Sequence, residues 1–141
     1  MNNIDRRSAI ALGVATTTAL IATPGTSQSQ TRSATEGKEI LPGVRQIDVS
    51  PPRPSKLPGF KTVSMRDVAL QPGGEIPEHP MPNAMLCHIT QGELAVRQDG
   101  KAFTAKIGDT WDCGKGTRET AKNNGTTVAV MRIIDLDMNM T

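Results

Sequence analysis

From Phe60 onward, apolar and polar residues alternate with a period near two, in short runs closed by Gly, Asn or Pro. Side chains alternate faces along an extended chain, so this period predicts half-buried β-strands. Seven runs carry it: Phe60–Gln71, Asn83–Thr90, Glu93–Gln98, Lys101–Lys106, Asp109–Cys113, Arg118–Asn123 and Thr126–Asp135. Between the third and fourth, Asp99-Gly100 readily takes the positive φ of a two-residue hairpin, and "KNNGT" at Lys122 to Thr126 predicts a similar turn. A spacing of about 8 to 12 residues with no helical run predicts an all-β sandwich or barrel.

The pattern before Phe60 is different. Residues 1–26 have the order of an export signal: a short charged start from Asn2 to Arg7, a weakly apolar run from Ser8 to Ala22, then small and polar residues. The apolar run is too short and too rich in Thr and Gly for a membrane span. Arg6 and Arg7 directly before it resemble a twin-arginine signal, which predicts a periplasmic protein. Asp5 and Ala9 depart from the usual form of that signal and leave general secretion as the alternative. Residues 27–59 are rich in Ser, Thr, Pro and Gly and end in "SPPRPSKLPG". Proline fixes φ and removes a donor, so this stretch reads as an extended linker and arm. Its alternation from Gly43 to Val49 predicts an edge strand, paired either with the domain or with a second copy. The expected organisation is therefore signal 1–26, arm 27–59, barrel 60–137 and a disordered tail 138–141.

Composition narrows the function. Without residues 1–26 the chain loses Arg6, Arg7 and Asp5 and keeps 14 of its 16 basic and 13 of its 14 acidic residues. No basic stripe, aromatic platform or basic amphipathic helix remains, which argues against nucleic acid and membrane surfaces and for a metal ion or small-molecule ligand. One Trp, two Phe and no Tyr leave the core to Val, Ile, Leu, Met and Ala. A core so short of aromatics leaves room near one mouth, or needs a dimer contact. Cys87 and Cys113 form no CxxC pair. In an oxidising compartment they can bridge if their Cα atoms lie within about 7 Å, and otherwise Cys87 is free as a ligand.

Two spacings carry a family resemblance. Gly73, His79, Met81, Met85 and Gly92 follow the first cupin motif. Gly108 to Asn123 follow the second, with Gly114 at the usual proline, Gly116 at the glycine, Glu119 at the usual histidine and Asn123 at the terminal asparagine. Over about residues 60–135 the chain resembles the cupin superfamily. This implies a small double-stranded β-helix, or jelly-roll, barrel and, for many members, a homodimer. The family pattern implies three His and one Glu as metal ligands. Here only His79 stands at such a position unchanged, with Met81, Met85 and Glu119 at the others.

The resemblance places Met85 inward, and strand alternation then puts Cys87 on the same face and His88 on the other. The expected inward set is His79, Met81, Met85, Cys87 and Glu119: one imidazole, two thioethers, a thiol and a carboxylate. Thioethers and thiols select soft ions, so copper, as Cu(I), is the first choice for a bound metal. Methionine is also adaptable filler, and the same substitutions describe an apolar pocket for a small organic ligand. A metal-dependent dioxygenase or isomerase is the third reading, disfavoured by the missing two His and motif Glu. Glu119 is either a buried ligand, base or acid, or an exposed partner of Lys115, Arg118 or Lys122. Met138 and Met140 form a second Met pair in the tail.

Overall fold

A computed structural model describes residues 31–138. The expected signal, and Met140 of the tail, lie outside the described residues. Every regular element among the described residues is a strand: β1 (Lys38–Leu41), β2 (Val44–Pro54), β3 (Phe60–Leu70), β4 (Glu75–Pro80), β5 (Ala84–Gln91), β6 (Glu93–Gln98), β7 (Lys101–Lys106), β8 (Thr110–Cys113), β9 (Arg118–Lys122) and β10 (Ala129–Met138). No helix there is long and apolar enough to cross a membrane.

The strands form a six-stranded sheet, β1-β2-β3-β10-β5-β8, and a four-stranded sheet, β4-β9-β6-β7, with antiparallel pairing throughout. The two inner faces share one core. Val68 and Leu70 of β3, Cys87 and Ile89 of β5 and Met131 and Ile133 of β10 meet Leu94 and Val96 of β6, Ala105 of β7 and Ala121 of β9. Period-two alternation therefore becomes a sandwich closed over an aliphatic interior. At the β6–β7 turn, Asp99 has φ 47° and Gly100 φ 82°, the paired positive values of the expected primed hairpin.

Three expectations change. The Lys122–Thr126 segment is not a hairpin: β9 and β10 belong to different sheets, so the segment crosses between them. Met138, expected in a disordered tail, ends β10 opposite Phe60. The arm supplies two strands, and β2 lies between β1 and β3 rather than at the edge. Its prolines are tolerated because β1 pairs only with Val44, Arg45 and Gln46. Pro51, Pro52 and Pro54 lie beyond β1, where a missing donor costs no ladder bond on that side.

The segment before β1 lies on the outer face of the large sheet. Arg32 Nε donates to Asp67 Oδ2 at 2.9 Å, Gln71 Nε2 donates to the Ala34 carbonyl at 2.8 Å, and the Arg32 backbone exchanges hydrogen bonds with the Gln91 amide at 2.9 and 3.2 Å. This cover explains why the last four residues of β3, Asp67 to Leu70, are buried on both faces.

Candidate metal and ligand site

β5 sets the direction of the site. Met85, Cys87 and Ile89 are buried in the core, while Leu86, 47% exposed, and the half-buried His88 face outward. His88 is anchored there, its Nδ1 3.2 Å from the Asp109 carbonyl. Antiparallel pairing places Met85 opposite Cys113 and Cys87 opposite Trp111, so the two cysteines are diagonal neighbours on one face. Both are buried and free. Diagonal residues have Cα atoms about 7–8 Å apart, at or beyond the span of a disulfide. The register thus explains the free thiols. Aerobically purified, unfolded protein is expected to titrate two thiols per chain with a chromogenic disulfide reagent, and a count near zero would refute this.

Glu119 arrives from the opposite sheet. It stands on β9 opposite His79 of β4 and is 4% exposed. Its Oε2 accepts hydrogen bonds from Trp111 Nε1 at 3.2 Å and from Cys113 Sγ at 3.0 Å. The other carboxylate reading, an exposed ion pair with a neighbouring cation, does not describe it, because Glu119 is buried and none of the described ion pairs includes it. Gln98 Nε2 donates to Cys113 Sγ at 3.2 Å and to the Asp112 carbonyl at 2.8 Å, fixing the inner end of β8. One ligand atom from each of Cys87, Cys113 and Glu119 lies within 4.8 Å of the other two. The hydrogen bond with Cys113, then burial, pushes the Cys87 thiol above its ordinary range, so it is a neutral thiol at physiological pH.

Above this group lies a cavity of about 470 Å³, open at one end of the sandwich and walled by Val68, Met81, Met85, Ala121, Met131 and Ile133. His79, Arg66 and Glu78 also line it, with Glu119. His79 is exposed, and its Nδ1 lies 2.9 Å from the Pro77 carbonyl. A carbonyl only accepts, so Nδ1 carries a proton and donates it.

The sequence matches no protein-family model and no curated protein. Solved structures do match. An RmlC-like cupin from Shewanella frigidimarina superposes with a TM-score of 0.59 over 72% of this chain and 83% of that one, at 14% identity. KdgF from a Halomonas species gives 0.57 over 72% and 86%, at 16% identity. An oxalate oxidase gives 0.58 over 83% of this chain and 65% of its own, at 24% identity.

The fold is the cupin jelly roll.

Within this fold, the expected ligand positions separate into two layers that meet at Glu119. His79, Met81, Met85 and Glu119 line the cavity, with His79 outermost. Cys87 does not line it and packs instead with Cys113 and Glu119. Cys113 was absent from the expected ligand set and figured only as a disulfide partner. Its signal was present in the sequence, because it closes a strand of alternating type. What the sequence lacked was the β5·β8 register that brings it beside Cys87. Trp111 and Gln98 were missed for a similar reason: their roles are hydrogen bonds across strands.

Proposed function

We propose that this cupin binds a soft metal ion, with Cu(I) the preferred species, through Cys87, Cys113 and Glu119, with the Met85 thioether beside them and Met81 and His79 on the approach. The observation that carries the reading is the convergence of two buried thiols and a carboxylate within 4.8 Å. Thiolates and thioethers favour Cu(I), whereas manganese and magnesium prefer carboxylate and water. The residues fit that chemistry: Met85 is paired with Cys113 and alternates with Cys87, so three sulfur side chains share one face. Metal entry requires the thiol protons to leave. Both pass to solvent, and Glu119, already accepting from Cys113, is placed to relay that thiol's proton before it ligates.

An anaerobic Cu(I) titration against a competing chelator tests this. One ion per chain is expected, with Mn²⁺ far weaker. Cys87→Ser and Cys113→Ser should each weaken binding at least about tenfold, comparable to the loss of a supporting group in other metal sites. His79→Ala should have a smaller effect. Stoichiometry near zero, or binding indifferent to Cys113→Ser, refutes the assignment.

The same reading includes export. The order of charged, apolar and small residues in 1–26 supports delivery to the periplasm by the twin-arginine route. N-terminal sequencing of the periplasmic protein should begin after about residue 26, and an intact Met1 there would overturn it. A homodimer belongs to this reading through the cupin resemblance.

A further inference from the structure

One acceptor in the cavity has no donor. Four ionisable side chains line it: Arg66, Glu78, His79 and Glu119. Arg66 donates to both oxygens of Asp135, at 2.8 and 3.4 Å, and to Gln46 Oε1 at 3.3 Å. Glu78 accepts from Arg118 at 3.3 Å. His79 is turned to the Pro77 carbonyl. Among the described ion pairs none includes Glu119, and both of its donors end on Oε2. Oε1 is therefore the oxygen left for whatever enters the cavity.

A buried acceptor left without a donor carries a desolvation cost, and most of the walls around it are hydrocarbon and thioether. A ligand with a cationic, proton-donating head and an apolar body answers both. The head neutralises and hydrogen-bonds Oε1, and the body removes the wall from water. A carboxylate ligand meets the opposite situation, since Glu119 repels it and the Arg66 guanidinium is already engaged. The volume of about 470 Å³ suits a small organic molecule.

We propose that the cavity binds small apolar primary amines, with the ammonium group on Glu119 Oε1 and the hydrocarbon body against Met81, Met131 and Ile133. This goes beyond the soft-metal reading and needs no metal, although both occupants draw on Glu119.

The test uses three probes of similar size and different heads, namely benzylamine, benzyl alcohol and benzoate. Each is titrated by calorimetry into the reduced, chelator-treated full chain at neutral pH. Benzylamine should bind at least tenfold more tightly than benzyl alcohol, and benzoate not measurably. Glu119→Gln should remove the tenfold preference and leave benzyl alcohol unchanged. Ile76 of β4 also lines the cavity, and Ile76→Trp, which fills it from that side, should abolish binding of all three. The proposal is overturned if benzoate or benzyl alcohol matches benzylamine, if no probe binds, if the preference survives in Glu119→Gln, or if binding survives in Ile76→Trp. Should the Gln variant not fold, the wild-type ranking and Ile76→Trp decide the question. Because metal is absent, failure here leaves the soft-metal assignment standing, and failure of the Cu(I) titration leaves this one.

Discussion

Asp67→Ala is expected to lower the unfolding free energy by about 3–5 kcal/mol, the usual cost of removing one partner from a buried charge cluster. Asp67 is 1% exposed on the outward side of β3. Arg132 holds both of its oxygens, Nε on Oδ1 at 2.7 Å and the second nitrogen on Oδ2 at 2.9 Å, while Arg32 adds a third bond at 2.9 Å. Arg32 also pairs with Glu36. Removing the carboxylate leaves two guanidinium groups facing each other and frees the segment before β1. The midpoint of urea unfolding should fall accordingly, and amide exchange in residues 32–36 should rise.

The same cluster sets a pH dependence. Burial alone would raise the Asp67 carboxyl, but the hydrogen bonds from Arg132 and then Arg32 outweigh it and hold the group below its ordinary 3.8. A carboxyl lowered in the folded state binds fewer protons there than in the unfolded chain, so its stabilisation is complete above the ordinary value. That stabilisation is lost as pH falls through the lowered one. Acid unfolding of wild type below about pH 4 should therefore be steeper than that of Asp67→Ala. A loss of stability under about 1 kcal/mol in the variant would place the cluster among ordinary surface ion pairs.

Asn123→Asp should cost about 3 kcal/mol or more, from several buried polar groups left without partners at about 1–3 kcal/mol each. The Asn123 Nδ2 donates to the carbonyls of Leu70 and Thr127, both at 2.8 Å, and Oδ1 accepts from the Gly125 amide at 2.9 Å. Its backbone exchanges bonds with the β3–β4 turn, Gly73 N to Asn123 O at 2.9 Å and Asn123 N to Gly74 O at 3.0 Å. One buried side chain thus ties the end of β3 to the crossing between the sheets. Aspartate keeps the shape but turns the donating nitrogen into an acceptor facing two carbonyls. Asn123→Ala removes the bonds without adding repulsion and should cost somewhat less. The denaturant midpoint should shift with an unchanged slope, and a variant as stable as wild type would show that this residue does not hold the crossing.

Local pattern was sufficient where one face is buried and one is wet. The alternation of Met85, Leu86, Cys87 and His88 put Cys87 on the face of Met85 and His88 on the other, correctly, because a strand's side chains have period two whatever it pairs with, while the cupin resemblance supplied which face is inward. The Asp99-Gly100 hairpin was legible for the same local reason: positive φ at two successive residues is a property of those residues. β4 was not legible. Its sequence, EIPEHP, has two prolines and no clean alternation, and only its position at the sheet edge beside β9 makes a strand of it. Lys122 to Thr126 has hairpin chemistry but no hairpin, because turn residues state that the chain bends and not which sheet receives it.

For this protein the sequence by itself determined an all-β chain, seven of its strands, the shared face of Met85 and Cys87, and the abundance of sulfur side chains in the candidate site. Only the tertiary structure decided that Cys113 joins Cys87 and Glu119, that His79 stays at the exposed rim, and that Glu119 lines the cavity outside every described ion pair. The physical reason is register. A one-residue slip between β5 and β8, or between β4 and β9, leaves each strand's own pattern unchanged but exchanges every partner across the pair. The site consists of such cross-strand partners.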